Sequence, residues 1–118
     1  MDLNITHYNG KDIPEVISQD IIISNYEDAL DLLGSIYYQG YDGIIIHKKN
    51  IHEDFFDLST KMAGDILQKF SNYRMKLAIV GDFSQYQSKS LKDFIFESNK
   101  SRHINFVSTV EEAFEKLV

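Results

Sequence analysis

The strongest constraint on the fold is a pair of short, uninterrupted apolar runs at residues 43–47 and 77–80. Such runs are typical of strands whose two sheet faces are both covered. Between them, apolar residues recur every three or four positions over residues 58–70, which predicts an amphipathic helix. A strand, a helix and a second strand in this order predict a right-handed βαβ unit with parallel strands.

The N-terminal segment predicts an antiparallel hairpin. Residues 3–8 alternate weakly and meet Asn9-Gly10, a dipeptide typical of tight hairpin turns. A second extended segment follows at residues 13–17. Pro14 within it indicates an edge-like or irregular strand, because proline cannot donate a ladder hydrogen bond.

Two capping boxes predict where the first and last helices begin, namely Ser24-x-x-Glu27 and Thr109-x-x-Glu112. The first helix follows a short β-branched run at residues 21–23, and we expect it to end near Gly40. Another helix is predicted over residues 88–99 and another strand over 104–107. Together these elements predict one α/β sandwich domain over residues 1–118, with a mixed, mostly parallel sheet, an N-terminal hairpin and about four helices.

Composition narrows the classes of function. The chain has no cysteine, which excludes disulfides, thiolate catalysis and Cys-ligated zinc, and which fits a reducing cytoplasm. Twelve basic against eighteen acidic residues give a net charge of −6, which disfavours non-specific binding to nucleic acid or anionic lipid. The first residues show no signal peptide, and no apolar run approaches the roughly 18 residues of a membrane span. We therefore expect a cytoplasmic protein without a membrane partner.

The carboxyl edge of the sheet is the expected place for a site, because ligands of parallel sheets bind beyond the strand ends. Four ends should meet there, at residues 24–25, 47–48, 81–83 and 108–109. The candidate ligand-binding residues at this edge are His47, Asp82, Ser84 and Tyr86. The simpler interpretation is that the hydroxyl residues at these strand ends only cap helices, and we favour it.

An acid–base or metal pair of His47 with Asp82, completed by His52 or Asp57, is the sharper hypothesis for this edge. Its spacing matches no named metal motif, and Gly81-Asp82 lacks the companion glycines of a dinucleotide or phosphate loop. We therefore expect neither a metal nor a cofactor, and we assign no catalytic residue. The pair Lys48-Lys49 is interpreted as solvated loop charge.

Ser59 is expected in the first turn of the central helix, close to the unpaired amides that favour anions. Phe55-Phe56, just before it, is interpreted as core packing rather than a docking patch. Tyr86 lies in a polar loop and is the better candidate for an exposed recognition aromatic. Gly64 costs about 1 kcal/mol relative to alanine in mid-helix, so we expect close approach of another backbone there, in this chain or in a partner.

Four sequence blocks resemble an uncharacterised bacterial family known as domain of unknown function 4180. They are ALDLLG (29–34), FFDLSTKMAGDILQKFSNYR (55–74), LAIVGDFSQYQSKSLKDFIFESN (77–99) and STVEEAF (108–114). The likeness spans nearly the whole chain, and the AGDILQKFSNYR and AIVGDF blocks are specific. The family brings no established activity.

The order of elements also resembles the STAS domains of anti-sigma-factor antagonists. Those domains run from an N-terminal hairpin through alternating strands and helices to a C-terminal helix. A Phe-x-Asp-Ser-Ser-Gly-type segment opens one of their helices, and a partner kinase phosphorylates its serine. Here Asp57 matches the aspartate and Ser59 the second hydroxyl position, whereas Leu58 replaces the first hydroxyl and Thr60-Lys61 stands at the glycine.

Three functions follow from these observations. The first is a non-enzymatic regulatory or interaction module that docks a protein partner around Asp57, Ser59 and Thr60. The alternative is a small-molecule-binding domain or modest enzyme whose site lies at the carboxyl edge of the sheet. A homodimer packed on Gly64 is the third.

Overall fold

Five strands form one sheet in the computed structural model, which describes residues 2–118, and their spatial order equals their order in the sequence. The strands are β1 (Asp2–Tyr8), β2 (Lys11–Ile17), β3 (Gly43–His47), β4 (Lys76–Val80) and β5 (Ile104–Val107). The first two are antiparallel, and β2 to β5 are mutually parallel. Within the same residues the α-helices are α1 (Tyr26–Tyr38), α2 (Met62–Asn72), α3 (Lys89–Ser101) and α4 (Val110–Leu117). The predicted mixed α/β fold is confirmed.

The helices divide unequally between the two sheet faces. Because consecutive parallel strands are neighbours and their crossovers are right-handed, α1, α2 and α3 all cover one face. That face holds the larger apolar core, in which helix residues such as Leu33, Ile66 and Leu91 join alternate strand residues. The opposite face packs against α4 through Ala113 and Leu117.

The hairpin forms as predicted, but the position of β2 differs from the expectation. Asn9 and Gly10 have φ of 48° and 83°, the conformation of a tight two-residue turn. Strand β2 lies between β1 and β3, so of the two alternatives expected at Pro14 the edge-like strand is wrong and the irregular strand fits. The ladder of β2 with β3 is nevertheless limited to the pair Glu15–Ile45, since Pro14 lacks the N–H that a longer ladder needs.

Residues 21–23 are not a strand of the sheet, contrary to the expectation that a strand ends at Ser24. Ile23 makes an isolated parallel bridge to Ile51. The buried Asn50 holds the segment, because its backbone oxygen accepts from Ile22 N at 2.7 Å and Ile23 N at 3.0 Å. Its Nδ2 also donates to the carbonyl oxygens just before the segment, Ser18 at 3.0 Å and Asp20 at 2.8 Å. The segment therefore packs beside the end of β3 without joining the sheet.

The cap of α1 lies one residue beyond the predicted capping box. Asn25 is the N-cap, and its Oδ1 accepts from Asp28 N at 2.9 Å. Asp28 in turn accepts from Ser24 N at 3.0 Å. The predicted box of Ser24 with Glu27 is therefore wrong: Asn25 caps the helix, and Asp28 accepts from the residue before the cap. The predicted cap of α4 is confirmed, because Thr109 Oγ1 accepts from Glu112 N at 3.1 Å.

Three single 3₁₀ turns connect β3 to α2, spanning Lys48–Asn50, Glu53–Phe56 and Leu58–Thr60. Lys61 follows with φ of 63°, a left-handed conformation that separates the last turn from α2. The expected helix start at Leu58 is therefore wrong by four residues. Gly64 is exposed, and a Cβ built there would meet no atom within 4 Å, so no backbone of the described chain approaches it.

No helix within residues 2–118 combines the length and the apolar character that crossing a membrane requires.

Candidate functional site

An aromatic cluster joins the loops that follow β3 and β4 at the carboxyl edge of the sheet. The Phe56 ring stacks on Tyr86 with centroids 5.3 Å apart and lies 5.9 Å from Phe83. Phe55 meets Phe56 edge to face at 5.0 Å, and Phe83 meets Phe106 of β5 at 5.3 Å. Phe55 and Phe56 are both buried, in agreement with their interpretation as core residues. The cluster therefore fixes the two loops relative to each other.

A cleft of about 360 Å³ opens beside this cluster, and we call it the carboxyl-edge cleft. It lies between residues 21–23, the loop after β3 and the loop after β4. Its lining combines apolar, basic, acidic and amide side chains: Ile21, Lys48, Lys49, Ile51, Glu53, Phe56, Gln85 and Tyr86. The apolar floor and charged rim suit an amphipathic ligand.

Lys48 contacts both loops at the wall of the cleft. Its stem packs on Gly81, where an added Cβ would lie only 2.6 Å from Lys48 Cβ. Its Nζ donates to Asp82 O at 2.9 Å and lies 4.8 Å from the centre of the Tyr86 ring. An ammonium over an aromatic face is stabilised by the ring quadrupole. Only the hydrogen atom of glycine leaves room for this arrangement.

Tyr86 is half-buried rather than fully exposed, because one face of its ring stacks on Phe56. Burial of the phenol raises the pKa of Tyr86 above its usual value, and the negative charge of Glu53 raises it further. The hydroxyl therefore stays protonated at neutral pH and can donate a hydrogen bond to a ligand. Of the four candidate residues at this edge, Tyr86 is the one that lines the cleft.

His47 and Asp82 do not pair. His47 Nε2 lies 2.6 Å from Glu15 Oε2, on the sheet face that carries Ile45, since alternate strand residues share a face. Asp82 Oδ1 instead accepts from Ser84 Oγ at 2.6 Å and from Ser84 N at 2.9 Å. These hydrogen bonds, with a smaller effect of Lys48, lower the pKa of Asp82. Among residues 2–118, no cluster of three or more His, Cys, Asp or Glu side chains is arranged to hold a metal ion.

Asp57, Ser59 and Thr60 form an exposed turn ahead of α2. Asp57 Oδ1 accepts from Ser59 Oγ at 2.7 Å and from Ser59 N at 3.0 Å, and these bonds lower the pKa of Asp57. Thr60 Oγ1 lies 2.7 Å from Asp54 O, which ties this turn to the preceding one. Ser59 therefore does not lie in the first turn of the helix, where we expected it. It lies in a separate turn stabilised by a carboxylate.

The family assignment follows from the same sequence. Residues 8–117 match the family described as Domain of unknown function (DUF4180). The chain belongs to this family. Comparison with curated proteins and with solved structures found no significant match. The predicted membership is therefore confirmed, and the STAS resemblance stays a prediction.

Sequence reasoning missed the part of the site built by Lys48 and Gly81. Lys48 was interpreted as solvated loop charge, yet its stem packs against Gly81 across neighbouring strand ends. Their proximity depends on the register of β3 with β4. A separate sequence signal, Asp-x-Ser at 57–59 and at 82–84, marks two copies of the same carboxylate-capped turn and does not report the contact of Lys48 with Gly81.

Proposed function

We propose that this protein is a non-enzymatic regulatory module of the bacterial cytoplasm, STAS-like in type, that binds a segment of a partner protein in the carboxyl-edge cleft. The fixed ammonium of Lys48 beside an apolar floor is the observation that carries the proposal. A side chain that is already immobilised loses little conformational entropy when a ligand binds. The cleft is thus preorganised for a carboxylate.

The chemistry of the cleft specifies the bound segment. Lys48 and Lys49 offer two positive charges, and the side chains of Ile21, Ile51 and Phe56 offer an apolar surface. A segment in which an acidic residue stands next to a bulky apolar residue satisfies both. Glu53 on the rim repels a misplaced carboxylate and directs it towards the lysines.

The STAS-like part of the proposal is supported by architecture and by position. The chain runs from a hairpin through alternating strands and helices to a C-terminal helix, the order that STAS domains share. Ser59 lies in the segment after β3, comparable to the phosphorylated segment of those domains. Fold-level likeness alone does not fix function, so the proposal depends on the cleft.

Ser59 supplies the regulatory part of the proposal. A phosphate on Ser59 Oγ would replace its hydrogen bond to Asp57 with repulsion between two negative groups. The same turn is tied through Thr60 to the Glu53–Phe56 turn, which contributes Glu53 and Phe56 to the cleft. Phosphorylation of Ser59 is therefore proposed to loosen the floor of the cleft and weaken partner binding.

A random peptide display library selected on the wild-type protein tests the binding site. Enriched peptides should carry an acidic residue beside a bulky apolar one. They should bind Lys48→Gln about tenfold or more weakly, because a hydrogen bond to a charged group is lost. Lys92→Gln, an exposed lysine on α3, is the matched control and should bind normally. Equal binding by Lys48→Gln would show that the cleft is not the docking site.

The regulatory part is tested separately with Ser59→Asp and Ser59→Ala. The aspartate should weaken binding of a selected peptide, whereas the alanine should leave it nearly unchanged. Asp65→Glu, a conservative change on the exposed side of α2, controls for general surface effects. If both Ser59 variants bind with wild-type affinity, the proposed regulation by Ser59 is wrong, whereas the proposed binding site in the cleft is unaffected.

A small aromatic anion is the second candidate ligand, favoured by the volume of the cleft. About 360 Å³ lies within the range of small-molecule pockets. The fluorescent anion 1-anilinonaphthalene-8-sulfonate is a direct probe. Saturable binding that Lys48→Gln weakens and Lys92→Gln does not would favour this candidate, provided that library selection enriches no peptide.

A further inference from the structure

The two edge strands of the sheet differ in whether their outward backbone groups have hydrogen-bond partners. At the β5 edge, the Asn99 side chain pairs with the outward backbone of Phe106: Phe106 N donates to Asn99 Oδ1 at 2.7 Å, and Asn99 Nδ2 donates to Phe106 O at 3.3 Å. This amide imitates a neighbouring strand and covers the edge at Phe106. Within residues 2–118, β1 pairs with β2 and with no other element. A free edge of seven residues is a template for pairing.

The hairpin turn determines which groups of β1 point outward. A two-residue turn with left-handed φ at both positions is flanked by a hydrogen-bonded pair, here Tyr8 with Lys11. Hydrogen-bonded and non-hydrogen-bonded pairs alternate in an antiparallel ladder. The backbone N–H and C=O groups of Leu3, Ile5 and His7 therefore point away from β2. Pro14 agrees with this pattern, since it faces Ile5 and needs no N–H on that side.

We propose that the β1 edges of two copies of this chain pair antiparallel about a two-fold axis at Ile5, joining two five-stranded sheets into one. The strand is complementary to itself in this register, which places Asp2 opposite Tyr8, Leu3 opposite His7, and Asn4 opposite Thr6. No like charges face each other. Ile5, which is 42% exposed in the single chain, packs against its symmetry mate.

The absence of cysteine from the sequence makes single-cysteine variants a clean test. Two Ile5 residues paired in this register have Cα atoms about 5.5 Å apart, within the range of a disulfide. Ile5→Cys should therefore form a covalent dimer under mild oxidation. Phe96→Cys is the control, because Phe96 is 61% exposed on α3, away from β1. Equal cross-linking of the two variants would overturn the proposal.

The register is tested by mixing His7→Cys with Leu3→Cys, which should cross-link faster together than either does alone. Sedimentation equilibrium gives the independent measurement. The wild type should show a concentration-dependent dimer that Ile5→Pro weakens by about tenfold or more, because the outward N–H is lost from both copies. Ile5→Pro leaves the ladder with β2 intact, and circular dichroism verifies this. A wild type that stays monomeric, or a dimer that Ile5→Pro does not weaken, contradicts the proposal.

Discussion

At the residue scale, the contact between Gly81 and Lys48 decides the shape of the cleft wall. The two residues directly follow neighbouring parallel strands, and the backbone of Gly81 lies against the stem of Lys48. A side chain at position 81 would collide with Lys48 Cβ, which is close to the backbone and cannot swing away freely. The φ of Gly81 is not in the left-handed region, so the position does not need glycine for its backbone conformation. It needs glycine because a side chain there would meet Lys48.

We expect Gly81→Ala to lower the free energy of unfolding by about 1–3 kcal/mol, the usual cost of overpacking. It should also weaken binding of cleft-selected peptides, because Lys48 must move. Gly64→Ala, in the first turn of α2, is the matched control and should leave stability unchanged or slightly raised, since nothing lies within 4 Å of the added Cβ and alanine has the higher helix propensity. Urea denaturation followed by circular dichroism measures both changes. If Gly81→Ala also stabilises the protein, the Lys48 contact is not tight.

At the element scale, regular strands and helices were predictable, whereas the segments that build the cleft were not. Strands β3 and β4 follow directly from uninterrupted apolar runs, because burial on both faces demands them. Residues 21–23 show the same β-branched signal but form only one bridge, at Ile23. Their position is set by Asn50, whose backbone oxygen accepts from Ile22 N and Ile23 N and whose side chain binds the preceding carbonyls of Ser18 and Asp20. These are long-range contacts that no local pattern encodes.

The start of α2 was predicted at Leu58 but lies at Met62, because side-chain hydrogen bonds that periodicity does not report interrupt the helix. Leu58 fits the apolar period of the helix and is half-buried, so the pattern extends through it. The backbone departs from the helix because Asp57 and Thr60 offer competing side-chain hydrogen bonds to nearby groups. Periodicity reports which residues face the core and does not report where helical hydrogen bonding begins.

Asn50→Ala tests the tether that holds residues 18–23. It leaves the carbonyl oxygens of Ser18 and Asp20 without a partner, so we expect a loss of about 1–3 kcal/mol in unfolding free energy. Asn72→Ala, which removes one exposed contact with Gln68, should change stability by less than about 0.5 kcal/mol. Chemical denaturation compares the two. A neutral Asn50→Ala would mean that water or the backbone replaces the tether.

At the scale of the whole molecule, the helices cover the two sheet faces unequally. The packing of one face therefore depends on a single short helix, α4. Within residues 2–118, three helices share one face, whereas the smaller core of the other face is completed by α4. Leu117 near its end is 1% exposed and packs on Gly43. The integrity of that face therefore depends on few side chains.

We expect Leu117→Ala to lower the free energy of unfolding by about 2–4 kcal/mol, through lost burial and the cavity left behind. Its neighbour Val118, which is 40% exposed, provides the control, and Val118→Ala should cost less than about 0.5 kcal/mol. Thermal and urea denaturation both report the difference. Similar small effects from the two variants would show that α4 is dispensable for the second face.

The agreement between spatial and sequential strand order has a consequence for synthesis on the ribosome. As the chain emerges, β2 pairs with β1, and each later strand adds to the outer side of the one made before it. No strand has to be inserted between two that are already paired. The growing edge always moves away from β1, and it is closed last by Asn99 as β5 docks. A nascent chain can therefore assemble this sheet in the order of translation, with α4 covering the second face at the end.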